Sequence, residues 1–193
     1  MRADTLRPRA TSDSPFQWVL AGRAVLAMIF GLSEGAMFLF AFWAPRITAA
    51  LMATFFTGFA LLDGILALVG AARGLARGGR WLMLACKGLV GVMAGIAVVF
   101  RPPGQSPGPL TIFGCWAVLT GLLQVVEAVR IGTRRGRSLL AATAVLSLAF
   151  GGMVLLRAPG DLMTLALYVA AYGLLLGGLR IAVAMRLDSP HLI

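Results

Sequence analysis

The segments Gly64-Ile-Leu-Ala-Leu-Val-Gly-Ala-Ala-Arg73, Gly121-Leu-Leu-Gln-Val-Val-Glu-Ala-Val-Arg130 and Gly177-Gly-Leu-Arg-Ile-Ala-Val-Ala-Met-Arg186 share one feature: an arginine nine residues after a glycine, closing a long apolar run. The copies lie 57 and 56 residues apart. Self-similarity at a fixed period marks a repeated structural unit. Here the period holds two apolar runs, so the chain reads as one two-helix unit written three times.

Composition sets the environment of that unit. Of the 193 residues, 60 % are hydrophobic and only 12 % are charged, and the mean hydropathy is +0.91. A soluble domain keeps about a quarter of its residues charged. The apolar runs reach the length of about 20 residues needed to cross a hydrocarbon core. They predict six spans at about 17–43, 48–72, 81–100, 109–131, 138–156 and 161–186. The predicted fold is all-α: a polytopic membrane protein of six transmembrane helices in three tandem two-helix repeats, at about 17–73, 81–130 and 138–186. This transmembrane domain, 17–187, lies between an N-terminal tail, 1–16, and a C-terminal tail, 188–193. The polar first tail is expected to be disordered. The run from Trp18 to Trp43 is too long for a cleavable signal and is expected to stay.

The net charge of +10 invites a nucleic-acid reading, but no basic stretch accompanies a reading module. The basic residues sort by side instead. Arg2, Arg7, Arg9, Arg73, Arg77, Arg80, Arg130, Arg134, Arg135, Arg137 and Arg186 fall on one side of the predicted membrane, and Arg46, Arg101 and Arg157 on the other. Positively charged short loops stay cytoplasmic, which predicts both termini on the cytoplasmic side of the membrane. The lipid bilayer is thus the expected partner, with some affinity for anionic headgroups and no nucleic acid. Trp18, Trp43 and Trp81 fall at span ends, as interfacial anchors do.

The repeat extends into the odd-numbered helices. Lys87/Gly95, Thr143/Gly151 and Arg23/Gly31 share an eight-residue step. Pro102 and Pro159 follow the glycine after seven and eight residues, whereas Pro45 follows Gly31 after 14. The first unit therefore carries six or seven extra residues within 32–43. Each unit is expected to be a helical hairpin, and the three run parallel. Gly31/Gly35, Gly91/Gly95 and Gly173/Gly177 are four apart, a spacing that lets helix backbones approach closely in lipid. They are expected to serve packing within the bundle; a homo-oligomer seam is the alternative.

Charges inside a membrane are costly and count as functional candidates. Arg23, Glu34, Asp63, Lys87, Glu127 and Arg180 qualify. Five are expected toward the cytoplasmic half, where Asp63 is expected to bridge to Lys87 or Arg23. Arg23, Glu127 and Arg180 can alternatively snorkel to the interface, and Glu127 can reach Arg130 one turn on. Glu34 stands apart, in the outer half. In apolar surroundings it is a candidate external proton-responsive group, and a polar outer crevice is the alternative. Cys86 and Cys115 lie at different depths and are expected to be two buried free thiols. No metal cluster, cofactor motif, phosphate loop or nucleophile–base spacing stands out, so neither an enzyme nor a cofactor is expected.

Phe59-Ala-Leu-Leu-Asp-Gly-Ile-Leu-Ala-Leu-Val-Gly-Ala-Ala-Arg73 resembles the even-helix signature of the HdeD family of acid-resistance membrane proteins, which are built from short repeats of unknown molecular function. Trp116-Ala-Val-Leu-Thr-Gly-Leu-Leu-Gln-Val-Val-Glu-Ala-Val-Arg130 and Tyr172-Gly-Leu-Leu-Leu-Gly177 are similar to it. Lys87-Gly-Leu-Val-Gly-Val-Met-Ala-Gly95 resembles the partner helix. The resemblance covers about 18–187 and implies a six-helix inner-membrane protein linked to acid or envelope stress resistance. The chain departs from the pattern in its longer first unit and in its unrepeated aspartate, with Thr120 and Leu176 in the places of Asp63. The leading expectation is a non-enzymatic stress protein. The alternative is a small-solute or ion/proton transporter or channel, or a subunit of one, using the intramembrane charges. A third reading is a scaffold for another membrane protein.

Overall fold

The computed structural model describes residues 15–74, 81–100, 108–130, 134–156 and 162–187. They form six helices: α1 (Pro15–Ala41), α2 (Pro45–Gly74), α3 (Trp81–Val99), α4 (Pro109–Arg130), α5 (Arg134–Leu156) and α6 (Leu162–Leu187). Three of them, α1, α2 and α4, begin on proline, whose fixed φ and missing N–H suit a first helical turn. All six are long and apolar enough to cross a membrane. The expected tails lie outside the described residues, except that Pro15 and Phe16 already belong to α1.

Large apolar side chains such as Ile29, Leu62, Leu89, Leu122, Val145 and Leu175 point outward on all six helices. Water would not tolerate so much exposed apolar surface, whereas lipid tails match it. The exposed faces therefore complete the case for a bundle within a bilayer. Arg73, Arg130, Arg134 and Arg186 gather at the helix ends of one side, called here the arginine-rich end.

The helices form a closed ring in chain order, with α6 packed on α1. The even helices bury more of their surface than the odd ones. The closest seams do not lie within the expected hairpins. They join each even helix to the odd helix of the following unit: α2 to α3, α4 to α5, and α6 back to α1. The hairpin describes chain connectivity, but the tight packing unit straddles the repeats.

Glycine explains why. A Cβ on Gly64 would lie 2.7 Å from the Val92 nitrogen, on Gly121 3.1 Å from that of Leu148, and on Gly177 2.9 Å from that of Met28. Val92, Leu148 and Met28 each stand five residues after the aligned positions Lys87, Thr143 and Arg23. The reverse contacts repeat too: Gly95 faces Leu61, Gly151 faces Val118 and Gly31 faces Leu174, each three residues before the even-helix glycine. The three seams are thus copies of one contact, and the bundle is pseudo-threefold. Only hydrogen allows backbones this close where lipid offers no hydrophobic driving force. Gly91 and Gly173 sit equally tightly, against Ala60 and Gly31, while Gly35 makes only an ordinary contact with Ala170.

The extra residues of the first unit lengthen the helices rather than forming a domain. Helix α1 continues ten residues past Gly31, against four past Gly95 in α3 and five past Gly151 in α5. At 1.5 Å per residue the first helix rises about 8 Å further. A short turn, in which the Trp43 and Ala44 amides donate to the Phe40 carbonyl, leads into α2. Trp43 is exposed there and Trp81 is half-buried at the other end, positions that suit interfacial rings.

Candidate functional site

Three layers stack along the bundle interior. The layer nearest the arginine-rich end is charged. Arg23 of α1 donates to Asp63 of α2 through Nε to Oδ1 and Nη2 to Oδ2, both at 2.8 Å. Such a two-pronged pair matches guanidinium and carboxylate geometry. Arg180 of α6 donates Nη1 to Asp63 Oδ1 at 2.9 Å and to the Arg23 carbonyl at 3.4 Å. One carboxylate thus ties together α1, α2 and α6. In the second unit Lys87 of α3 donates to Glu127 of α4. By helix rise, these groups lie about 5–16 Å from the arginine-rich helix ends.

Asp63 is paired with Arg23, one of the two partners expected from sequence, and not with Lys87. Glu127 accepts from Lys87, not from Arg130, so the expected local pair gives way to one between helices. Arg23 and Arg180 are also buried or half-buried partners of a carboxylate, not snorkelling cations. Burial decides this: an unpaired charge in the interior costs more than ordering a long side chain. The third unit has Thr143 where the others have Arg23 and Lys87, and its hydroxyl donates to the Leu140 carbonyl of its own helix. Its contribution to the charged layer comes from α6 instead.

The middle layer is aromatic. Phe30 stacks on Phe59 at 4.4 Å between ring centroids, and Phe150 on Tyr172 at 4.3 Å. Phe113 touches both stacks and Trp116. Tyr172 keeps its hydroxyl satisfied through Ser147 at 3.1 Å. Thr120 bonds back to the Trp116 carbonyl at 2.8 Å. Sequence reasoning passed over Trp116, Ser147, Tyr172 and the buried Gln124, whose regular spacing along apolar faces reads as core. Trp116 Nε1 and Gln124 Oε1 have no partner among the described residues.

The third layer, toward the opposite end, holds a single charged group among the described residues. Glu34 lies one turn past Phe30 on α1 and is 1 % exposed, with both carboxylate oxygens unpartnered among the described residues. It occupies the place that Val98 and Val154 take in the other units, three residues past the odd-helix glycine. It lines a part-open cavity of about 180 Å³ whose other walls are apolar side chains of α2, α4 and α6. The expected polar crevice is therefore not what surrounds it.

Cys86 and Cys115 are free, as expected, but only half-buried and exposed respectively; Cys115 lies on an outward face of α4. No group of three or more potential metal ligands occurs among the described residues.

No curated protein and no solved structure matches the chain. The model of a family described as a short repeat of unknown function (DUF308) matches it over residues 22–100, covering most of α1 through α3, and over 86–156, most of α3 through α5. Two matches that overlap on α3 fit a chain made of successive copies of one unit. Over most of its length, then, the chain belongs to the short-repeat family DUF308.

Proposed function

We propose that this chain is a non-enzymatic, multi-pass protein of the bacterial inner membrane, of the HdeD type, that supports survival in acid or under envelope stress by staying closed to protons. The observation that carries this reading is the pairing of the buried cations beneath an aromatic layer. Arg23 and Arg180 share Asp63, and Lys87 holds Glu127. Three cations against two carboxylates leave the charged layer biased positive, and fixed positive charge in a narrow interior opposes the entry of protons and cations. The rings of Phe30, Phe59, Phe113, Trp116 and Tyr172 fill the space between that layer and Glu34. The arginine asymmetry supports cytoplasmic placement of the arginine-rich end.

The test pairs a deletion strain with purified protein. Loss of the gene should lower survival at low pH, and the wild-type gene should restore it. The protein in liposomes should pass no protons. A deletion strain that survives acid normally would overturn the stress reading. Proton or solute flux through the wild-type protein in liposomes would replace it with the transport alternative.

A further inference from the structure

We propose that the Glu34 cavity is a binding site for a small organic monocation, an ammonium carried on an apolar body about the size of a benzene ring. The site is built from a carboxyl and carbon. Glu34 reaches the cavity from α1, while Met52, Ala53 and Phe56 of α2, Phe113 of α4 and Val169 of α6 supply apolar walls. Among the lining residues Glu34 is the only charged or titratable group. Among the described residues both of its oxygens lack a partner, whereas the buried carboxylate of Asp63 has two cations.

Other occupants match this surface poorly. Water needs two to four polar partners, and the walls offer one carboxyl. A metal ion needs several oxygen, nitrogen or sulfur ligands, and no cluster of them occurs among the described residues. An anion would meet a carboxyl in apolar surroundings. A neutral hydrocarbon would fill the walls and leave both oxygens unpaired. An organic ammonium satisfies both halves: its N–H groups donate to Glu34, and its body packs against the walls. Phe56 and Phe113 are among the lining residues, and aromatic rings can attract a cation. The size follows from the volume, since apolar cavities of about 150 Å³ accept a benzene-sized molecule. A cation bound here and a proton on Glu34 would compete for the same oxygens.

This inference stands apart from the acid-stress reading, because binding to purified protein and survival of a deletion strain can fail separately. The experiment is calorimetric titration of the full chain in detergent with benzylammonium, beside its neutral counterpart benzyl alcohol. Saturable binding of benzylammonium is expected, at least tenfold tighter than that of benzyl alcohol. Glu34→Gln should weaken it at least tenfold, and Ala53→Phe, which fills the cavity, should abolish it. The benzyl alcohol comparison needs no variant, so a poorly folding Glu34→Gln leaves the test intact. Absence of saturable benzylammonium binding would overturn the proposal. So would equal affinity for the two compounds, or unchanged affinity in folded Glu34→Gln.

Discussion

Arg180 on α6 donates to Asp63 on α2 at 2.9 Å, across 117 residues of chain. This bond fastens the last helix to the second, and it uses the same carboxylate that Arg23 grips from α1. The ring of helices is therefore closed twice, by the glycine seam between α6 and α1 and by Asp63 within.

Asp63→Asn is expected to strand two cations at once. Removing one partner of a buried ion pair costs about 3–5 kcal/mol. The loss should appear as a lower thermal midpoint of the purified protein and a smaller membrane-inserted amount. Lys87→Met should cost less, because its partner Glu127 has a side chain 26 % exposed against 5 % for Asp63 and can turn toward the interface. Equal losses in the two variants would contradict this ranking.

Gly64→Ala should open the α2–α3 seam. Its Cβ would meet the Val92 nitrogen at 2.7 Å and the Gly88 oxygen at 2.8 Å, both backbone atoms that cannot rotate away. Overpacking of this kind costs about 1–3 kcal/mol. At Gly58, Gly152 and Gly178 an added Cβ meets nothing within 4 Å, so alanine there should be neutral or stabilise by up to about 1 kcal/mol through helix propensity. Unfolding of the four single variants side by side in one detergent gives the comparison.

Phe113→Ala should be among the most damaging apolar truncations. Phe113 contacts Phe30, Phe56, Trp116, Phe150 and Tyr172, and its loss removes dispersion contacts on several sides. A cost of about 3 kcal/mol or more is expected. Tyr172→Phe deletes only the Ser147 hydrogen bond and should cost about 1 kcal/mol. A double-mutant cycle with Ser147→Ala would isolate that bond.

The proposed orientation makes its own forecast. A fluorescent-protein fusion after Ile193 should glow, because it would fold in the cytoplasm. Alkaline phosphatase inserted after Gly104 should be active, because that segment would lie outside. The reverse pattern would invert the topology and place Glu34 in the cytoplasmic half.

The six helices were legible because span length and apolar composition follow from bilayer thickness alone. The expected spans differ from the helices mainly at their ends, as at 138, where α5 already starts at Arg134. The repeat register was equally legible, because each close backbone approach requires glycine and leaves a periodic mark. The pairing of charges was legible only in part. Lys87 and Glu127 stand on facing helices, but depth along a span does not say which way a side chain turns.

Sequence by itself determined that this chain crosses a membrane six times, that it repeats one unit three times, and that glycines such as Gly31, Gly91, Gly173 and Gly177 bring backbones together, though not Gly35. Each follows from a local constraint: bilayer thickness, the period of the pattern, or the absence of a Cβ. Only the tertiary structure decided that the glycine seams join successive units rather than the two helices of one unit. It also decided that Asp63 holds Arg23 and Arg180 while Lys87 takes Glu127, and that Glu34 faces an apolar cavity without a partner. These depend on how helices are rotated against one another, a property of the whole packed ring that no single span encodes.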